Sequence, residues 1–154
     1  MHQTQRSVKV IQPPTQKASD LYIDHAQPIP SFKPEQEAKV QVLIKVFYAG
    51  VNRADVMQRK GFYPPPPGSS PILGLEVAGV IEKFSDHSEE CGGFKVGERV
   101  MALVEGGAYQ EYCIANITQL FHCPNQLSLK EGAAIPEAYL TGKYYYYSWL
   151  LKYQ

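Results

Sequence analysis

The sequence predicts a mainly β domain with short helices: a barrel-like core with a few helical additions. Three observations predict it. Short strand-like runs follow one another along most of the chain, and twelve glycines and twelve prolines separate them. Helix signals are few. Many short strands divided by Gly/Pro turns are the pattern of sheets that fold over one another or close into barrels.

The elements justify this in order. "SVKVI" (7–11) reads as a strand ended by Pro13-Pro14, and "DLYIDHA" (20–26) as a second ended near Pro28 and Pro30. "AKVQVLIKVFYAGV" (38–51) is the clearest strand: Val40, Val42, Ile44 and Val46 alternate with Gln41, Leu43 and Lys45. A period of two with apolar residues on both faces places it centrally in a sheet. "NRADVMQRK" (52–60) reads as a short helix capped by Asn52 and stopped by Gly61, since glycine accepts the conformation that ends a helix. "PPPPG" (64–68) can be neither helix nor central strand, because proline has no N–H to give, and reads as a stiff loop.

"LEVAGVIEKF" (75–84) is a further strand in which Gly79 marks a bend or a close backbone approach. "HSEECGG" (87–93) reads as a polar surface loop, "ERVMALV" (98–104) as a strand, Gly106-Gly107 as a turn and "AYQEYCIA" (108–115) as the strand returning from it. "SLKEGAAIPEAYLT" (128–141) opens a helix in which Ser128 and Glu131 form a capping box and Pro136 kinks or interrupts the run.

Composition excludes several function classes. A chain of 154 residues fits one domain with a real core, and its apolar fraction of 44% is near the globular average. Formal net charge is zero and there is no run of Lys or Arg. A nucleic-acid or membrane-surface partner, which needs a basic face, is therefore not expected. No stretch is apolar enough to span a bilayer, and the first residues lack the apolar centre of a secretion signal. Cys91, Cys113 and Cys123 are an odd number set far apart, which suggests free thiols in a reducing compartment, the cytoplasm. His25, His87 and His122 have no paired Ser or Cys, so a hydrolase triad is not expected. No GxGxxG follows a strand, so the chain carries no dinucleotide fingerprint; Gly92-Gly93 and Gly106-Gly107 read as turns rather than phosphate cradles.

Three blocks go further than periodicity: "YAGVNRADVMQRKGFYPPPPGSSPILGLEVAGVIE" (48–82), "KVGERVMALVEGGAYQEYCIA" (95–115) and "EGAAIPEAYLT" (131–141). Their order resembles the medium-chain dehydrogenase/reductase superfamily, closest to its zinc-free NADPH:quinone oxidoreductase branch, over nearly the whole chain to Thr141. The resemblance implies an N-terminal GroES-like catalytic domain over residues 1–141, a partly open β-barrel, without the Rossmann domain that normally follows and holds the dinucleotide. It implies hydride transfer from NADPH to a small quinone or enone. An enoyl reductase of the same superfamily shares these motifs. A non-catalytic scaffold or subunit of a larger assembly is the reading from another class.

Related alcohol dehydrogenases hold catalytic zinc with a Cys where this chain has Asn52 and a His where it has Leu75. Neither is a usual zinc ligand, and no clustered cysteines are present for a structural zinc, so no metal is expected. By resemblance, Asn52 and Asp55 face the nicotinamide and its ribose; as plain structure they are a helix cap and a first-turn carboxylate. Tyr63 matches a tyrosine facing the substrate, where a phenol can stabilise charge on a quinone oxygen or donate a proton; as plain structure it packs on the proline run. Thr141 matches a threonine that approaches the cofactor, and is otherwise an ordinary helix residue. Glu76 reads as a hydrogen-bonding scaffold residue rather than an acid catalyst.

The resemblance stops between Thr141 and Gly142, and residues 142–154 form an atypical tail with four consecutive tyrosines, Tyr144 to Tyr147. Gly142-Lys143-Tyr144 can be encoded GGT-AAG-TAT, a common intron start, so the tail resembles a translated intron. An unusual variant or a shortened partner subunit stays open beside it. Either way the chain alone is expected to be inactive and to bind NADPH weakly, with an uncovered inter-domain face that favours homo-oligomers. Trp149, Leu150, Leu151 and the tyrosines are apolar enough to cover part of that face.

Overall fold

A computed structural model of the protein describes residues 4–10, 14–33 and 40–152. Ile11, Ala38 and Lys39, at the ends of two expected strands, lie outside these residues, as do the side chains of Trp149, Leu150 and Leu151. The elements are β1 (Thr4–Val10), β2 (Leu21–Pro28), β3 (Gln41–Ala49), α1 (Arg53–Arg59), β4 (Glu76–Phe84), β5 (Glu90–Cys91), β6 (Phe94–Lys95), β7 (Arg99–Leu103), β8 (Tyr112–Asn116), β9 (Leu120–His122), α2 (Leu129–Gly132) and α3 (Pro136–Lys152).

The central sheet has the order β8-β3-β4-β7-β9, with every neighbouring pair antiparallel. β1-β2 and β5-β6 form two small hairpin sheets, and the sheets do not close on one another. The molecule is thus the mainly β, partly open arrangement that the sequence predicts. Among the described residues there is no Rossmann-type sheet.

β3 lies between β8 and β4, and Gln41, Val42, Leu43 and Ile44 are all buried at its start. Side chains on both faces of this segment are covered, which is why the sequence is apolar on both. The main core gathers Val42, Ile44, Val77, Ile81, Phe84, Val100, Cys113 and Leu120. Burying a side chain such as Phe84, which is fully enclosed, contributes roughly 1.5–3 kcal/mol. Gly79 pairs with Val46, and a Cβ there would sit 2.1 Å from the Lys45 carbonyl oxygen. The close backbone approach expected at Gly79 is therefore present, and only glycine fits it.

Two local expectations change in the structure, one short strand is new, and one open alternative is decided. The strand after Gly106-Gly107 does not return along β7. Residues 107–109 bond instead to the 72–74 segment, through Gly107 N to Ile72 O (2.7 Å), Ala108 N to Gly74 O (3.2 Å) and Tyr109 N to Leu73 O (3.0 Å). This carries the chain across the sheet, so β8 pairs with β3. The 87–93 loop is partly a tight hairpin: Gly92 and Gly93, at φ 58° and 83°, supply the two positive-φ positions between β5 and β6. β9 carries only three residues, too short for a period to show. Pro136 interrupts the last helical run as one of the expected alternatives had it: α2 ends at Gly132 and a separate α3 begins at Pro136. A first-turn position suits proline because its missing N–H would have no partner there. α3 continues without a break past Thr141 and Gly142 to Lys152.

β1 borders the Tyr109–Glu111 segment through Val8 N to Tyr109 O (2.8 Å) and Glu111 N to Arg6 O (3.1 Å). Gln5, 2% exposed, pins this seam: its Nε2 donates to Pro28 O and Gln110 Oε1, and its Oε1 accepts from Tyr112 N at 2.7 Å. All three bonds satisfy a buried amide that would otherwise be costly.

Candidate active site

The register of β3 and β4 builds the site. Ala49 pairs with Val77, so Gly50 follows beside Glu76, and Gly50 N donates to Glu76 O at 3.2 Å. A Cβ on Gly50 would lie 2.0 Å from Glu76 Oε1 and 2.7 Å from Ala133 O. The glycine therefore makes room for the Glu76 side chain under the turn that leads into α1.

Asn52 is the N-cap of α1, with extended backbone at φ −120°, ψ 162°. Its backbone N–H donates to Asp55 Oδ2 at 2.7 Å, and its own side chain faces the Asp55 backbone N–H, so the two residues form a capping box. The NH2 end of the same side chain reaches away from the helix, donating through Nδ2 to Glu76 Oε1 at 2.8 Å. Glu76, 2% exposed, uses its other oxygen: Oε2 accepts from Glu137 N, in the first turn of α3, at 2.9 Å. One buried carboxylate thus ties the cap of α1 to the start of α3. The scaffold role expected for Glu76 matches these two bonds.

Asp55 is 4% exposed and accepts a second bond, from the Tyr109 phenol at 2.7 Å. Its Oδ1 is buried without a protein partner. Burial first, then the hydrogen bond to Asp55 and the charges of Asp55 and Glu76, push the Tyr109 phenol far above its ordinary range. Tyr109 is thus held as a neutral O–H donor. Burial, followed by the charges of Glu76 and Asp55, also raises the Glu137 carboxyl.

The structure brings two of the four expected residues together: Asn52 and Asp55 share the α1 cap. Tyr63 stands in the loop after α1, 49% exposed, and its hydroxyl makes no hydrogen bond among the described residues. Thr141 is exposed on α3, the helix that Glu76 anchors. Around α1, Val51 and Phe62 are also exposed, so an apolar rim flanks the cap. Sequence reasoning did not single out Tyr109 or Gly50. Tyr109 sits in a run that reads only as strand, and its bond to Asp55 crosses 54 positions. Leu75, at the other position where related enzymes carry a zinc ligand, serves the sheet: its carbonyl accepts from Val104 N at 2.7 Å. Among the described residues no group of three or more His, Cys, Asp or Glu is placed to hold a metal ion. The three cysteines are unpaired, and burial raises the Cys113 thiol to about 12.

Residues 38–125 match the family profile of the alcohol dehydrogenase GroES-like domain. The chain belongs to that family. Within the medium-chain dehydrogenase/reductases it falls on the quinone oxidoreductase branch. It is 36% identical over 138 residues to the quinone oxidoreductase of Homo sapiens, covering 88% of this chain and 39% of that protein. The crystal structure of the human synaptic vesicle membrane protein VAT-1 homolog-like protein superimposes with a TM-score of 0.73 at 25% identity, over 90% of this chain and 40% of that one. A mycobacterial protein complexed with NADPH superimposes with a TM-score of 0.61 at 26% identity, over 85% of this chain and 36% of that one. The GroES-like chain spans between about a fifth and two fifths of the length of the curated relatives it matches. No helix among the described residues is long and apolar enough to cross a membrane.

Proposed function

We propose that this chain is the substrate-side, GroES-like part of a zinc-independent NADPH:quinone oxidoreductase, acting on a small quinone or enone. The observation that carries the reading is the α1 cap. Where related zinc enzymes need a thiolate, this chain has a carboxamide whose NH2 is committed to the buried Glu76. That is a hydrogen-bonding position rather than a metal ligand. The residues fit a nicotinamide dinucleotide in one respect: the half-buried Asn52 carboxamide oxygen faces the Asp55 N–H in the cap and has a second lone pair. It can accept from a ribose hydroxyl or an amide N–H.

When bound, NADPH supplies the hydride. The chain's residues would do the rest. Asn52, with Asp55 and Tyr109 holding the cap behind it, would orient the nicotinamide side. Tyr63, exposed and without a partner, would donate a hydrogen bond or proton to the substrate oxygen as charge develops. Thr141 would approach the cofactor from α3.

In the same proposal the chain alone neither turns over NADPH nor binds it below the millimolar range. A millimolar complex needs about 4 kcal/mol, and the few bonds from Asn52, Asp55 and Thr141 contribute about 0.5–1.5 kcal/mol each before association entropy is met. The test joins residues 1–141 to the nucleotide-binding half of a homologous quinone oxidoreductase. The expected result is NADPH-dependent quinone reduction without bound zinc by elemental analysis, slowed about tenfold to a thousandfold by Tyr63→Phe. One tightly held zinc per chain, or a Tyr63→Phe variant as fast as its parent on several quinones, contradicts the corresponding part of the proposal.

A further inference from the structure

We infer that the outer edge of β8, with the polar cavity beside it, is a docking site for one extended peptide segment, which pairs with Ile114 through its main chain. β8 is an edge strand of the central sheet, with β3 as its neighbour. At the two ends of that pairing, Val46 N donates to Glu111 O at 2.8 Å and Ile117 N to Val40 O at 2.9 Å. Bonded positions alternate along an antiparallel pair. Cys113 and Ala115, opposite Ile44 and Val42, therefore turn their N–H and C=O toward β3, and Tyr112, Ile114 and Asn116 turn theirs outward.

Side chains already take the flanking N–H groups: Tyr112 N donates to Gln5 Oε1 at 2.7 Å and Asn116 N to Gln119 Oε1 at 3.0 Å. Ile114, half-buried, is left between them, and among the described residues no bond takes its N–H or its C=O. A donor and an acceptor side by side on a strand edge are what an added strand completes. Just before this rung the same edge is already used that way. β1 lies along it through Val8 N to Tyr109 O and Glu111 N to Arg6 O, with Ser7 opposite Gln110 in antiparallel register.

Ile114 lines a cavity of about 330 Å3 whose other walls come from the segments 27–33, 67–71 and 105–110. That enclosure suits one slender segment rather than the edge of a second copy's sheet. Amides and hydroxyls line it, from Gln27, Ser31, Ser69 and Gln119, with one cation and one anion, Lys33 and Glu105. The occupant that fits is an extended segment of a partner polypeptide with small, uncharged polar side chains. Asn52, Asp55, Tyr63 and Thr141 do not line the cavity, so the inference stands apart from the quinone reading.

The experiment is NMR on the isotopically labelled 154-residue chain, titrated at millimolar concentration with the capped, uncharged pentapeptide acetyl-Ser-Thr-Ala-Thr-Ser-amide. Without peptide, the Ile114 amide should exchange with solvent about tenfold faster than those of Cys113 and Ala115, which are bonded to β3. On titration, shifts should centre on Ile114 and reach Ser69 and Gln119. The same peptide N-methylated at every amide cannot donate to Ile114 O and should bind about fivefold more weakly, the worth of one ordinary hydrogen bond. Ile114→Pro removes the outward N–H and leaves the neighbouring bonds to β3, at a position where an edge strand accepts proline. That chain should keep its fold and lose the shifts. An Ile114 amide as protected as its neighbours in the free chain overturns the inference. So do shifts that avoid β8, no shifts at all, or two peptides that bind equally. If Ile114→Pro does not fold, the two peptides on the parent chain decide.

Discussion

α1 and α2 begin with the same sequence device, a small polar residue followed three positions later by an acid: Asn52 and Asp55, Ser128 and Glu131. At α2 the device closes on itself. Ser128 N and Oγ donate to Glu131 Oε2 at 2.8 and 2.7 Å, and Glu131 N donates back to Ser128 Oγ at 3.2 Å, all at the exposed surface. At α1 the box is also formed, with Asn52 N donating to Asp55 Oδ2 at 2.7 Å and the Asn52 side chain facing the Asp55 backbone N–H, but it lies in a buried setting. The remaining groups reach across the fold to Glu76 and Tyr109. A cap that adds buried, long-range partners to its local box is held for more than the helix. Four outcomes test that contrast.

The largest effect is expected at Glu76. Glu76→Leu strands the Asn52 amide and the Glu137 N–H, and should cost about 2–4 kcal/mol in denaturant unfolding. The corresponding change at the exposed box, Glu131→Ala, should cost clearly less. Equal losses would mean that α1 carries an ordinary cap.

Tyr109→Phe comes next. It removes one of the two bonds to Asp55 in a buried setting and should cost about 1.5–3 kcal/mol. A loss within error of zero would mean that water replaces the phenol and that the site is open there.

Glu137→Gln is the smallest, and its sign is opposite. The Glu137 carboxyl is raised in the folded state, so folding favours its protonated form. Its destabilising effect is absent below the ordinary carboxylate range and grows as pH rises through the raised value. The substitution should therefore slightly raise the melting temperature at pH 7 and make no difference near pH 3. The backbone N–H that Glu76 receives is untouched by the change. A destabilised variant at pH 7 would mean that the charged carboxylate of Glu137 is itself held favourably by the site.

Much of the fold was legible because its signals are local. The alternation of Val42, Ile44 and Val46 marked β3, Gly79 marked the tight crossing of strands, and Pro136 marked the break between helices. What could not be read was pairing. The turn at Gly106-Gly107 promised a hairpin, yet bonds to residues 72–74 sent β8 to the far side of the sheet. The site divided in the same way. Asn52 and Asp55 were legible as a cap and through family motifs. Tyr109 and Gly50 matter only because distant segments meet, 54 positions apart for Tyr109 and 26 for Gly50 and Glu76, and no local pattern encodes that.

The most direct test of the central contrast replaces each cap residue by aspartate, itself a good N-cap, and follows stability against pH. Ser128→Asp should change little at any pH, since its box is exposed and aspartate suits a helix start. Asn52→Asp places a second carboxylate against Glu76, where the amide now sits 2.8 Å away. The pair should hold a proton in the folded state, with a pKa raised by about two units and a penalty of about 3 kcal/mol at neutral pH. With the folded pKa raised, that penalty disappears below the ordinary carboxylate range and reaches its full size above the raised value. An Asn52→Asp chain as stable at pH 7 as its Ser128→Asp counterpart, with the same pH profile, would contradict the account.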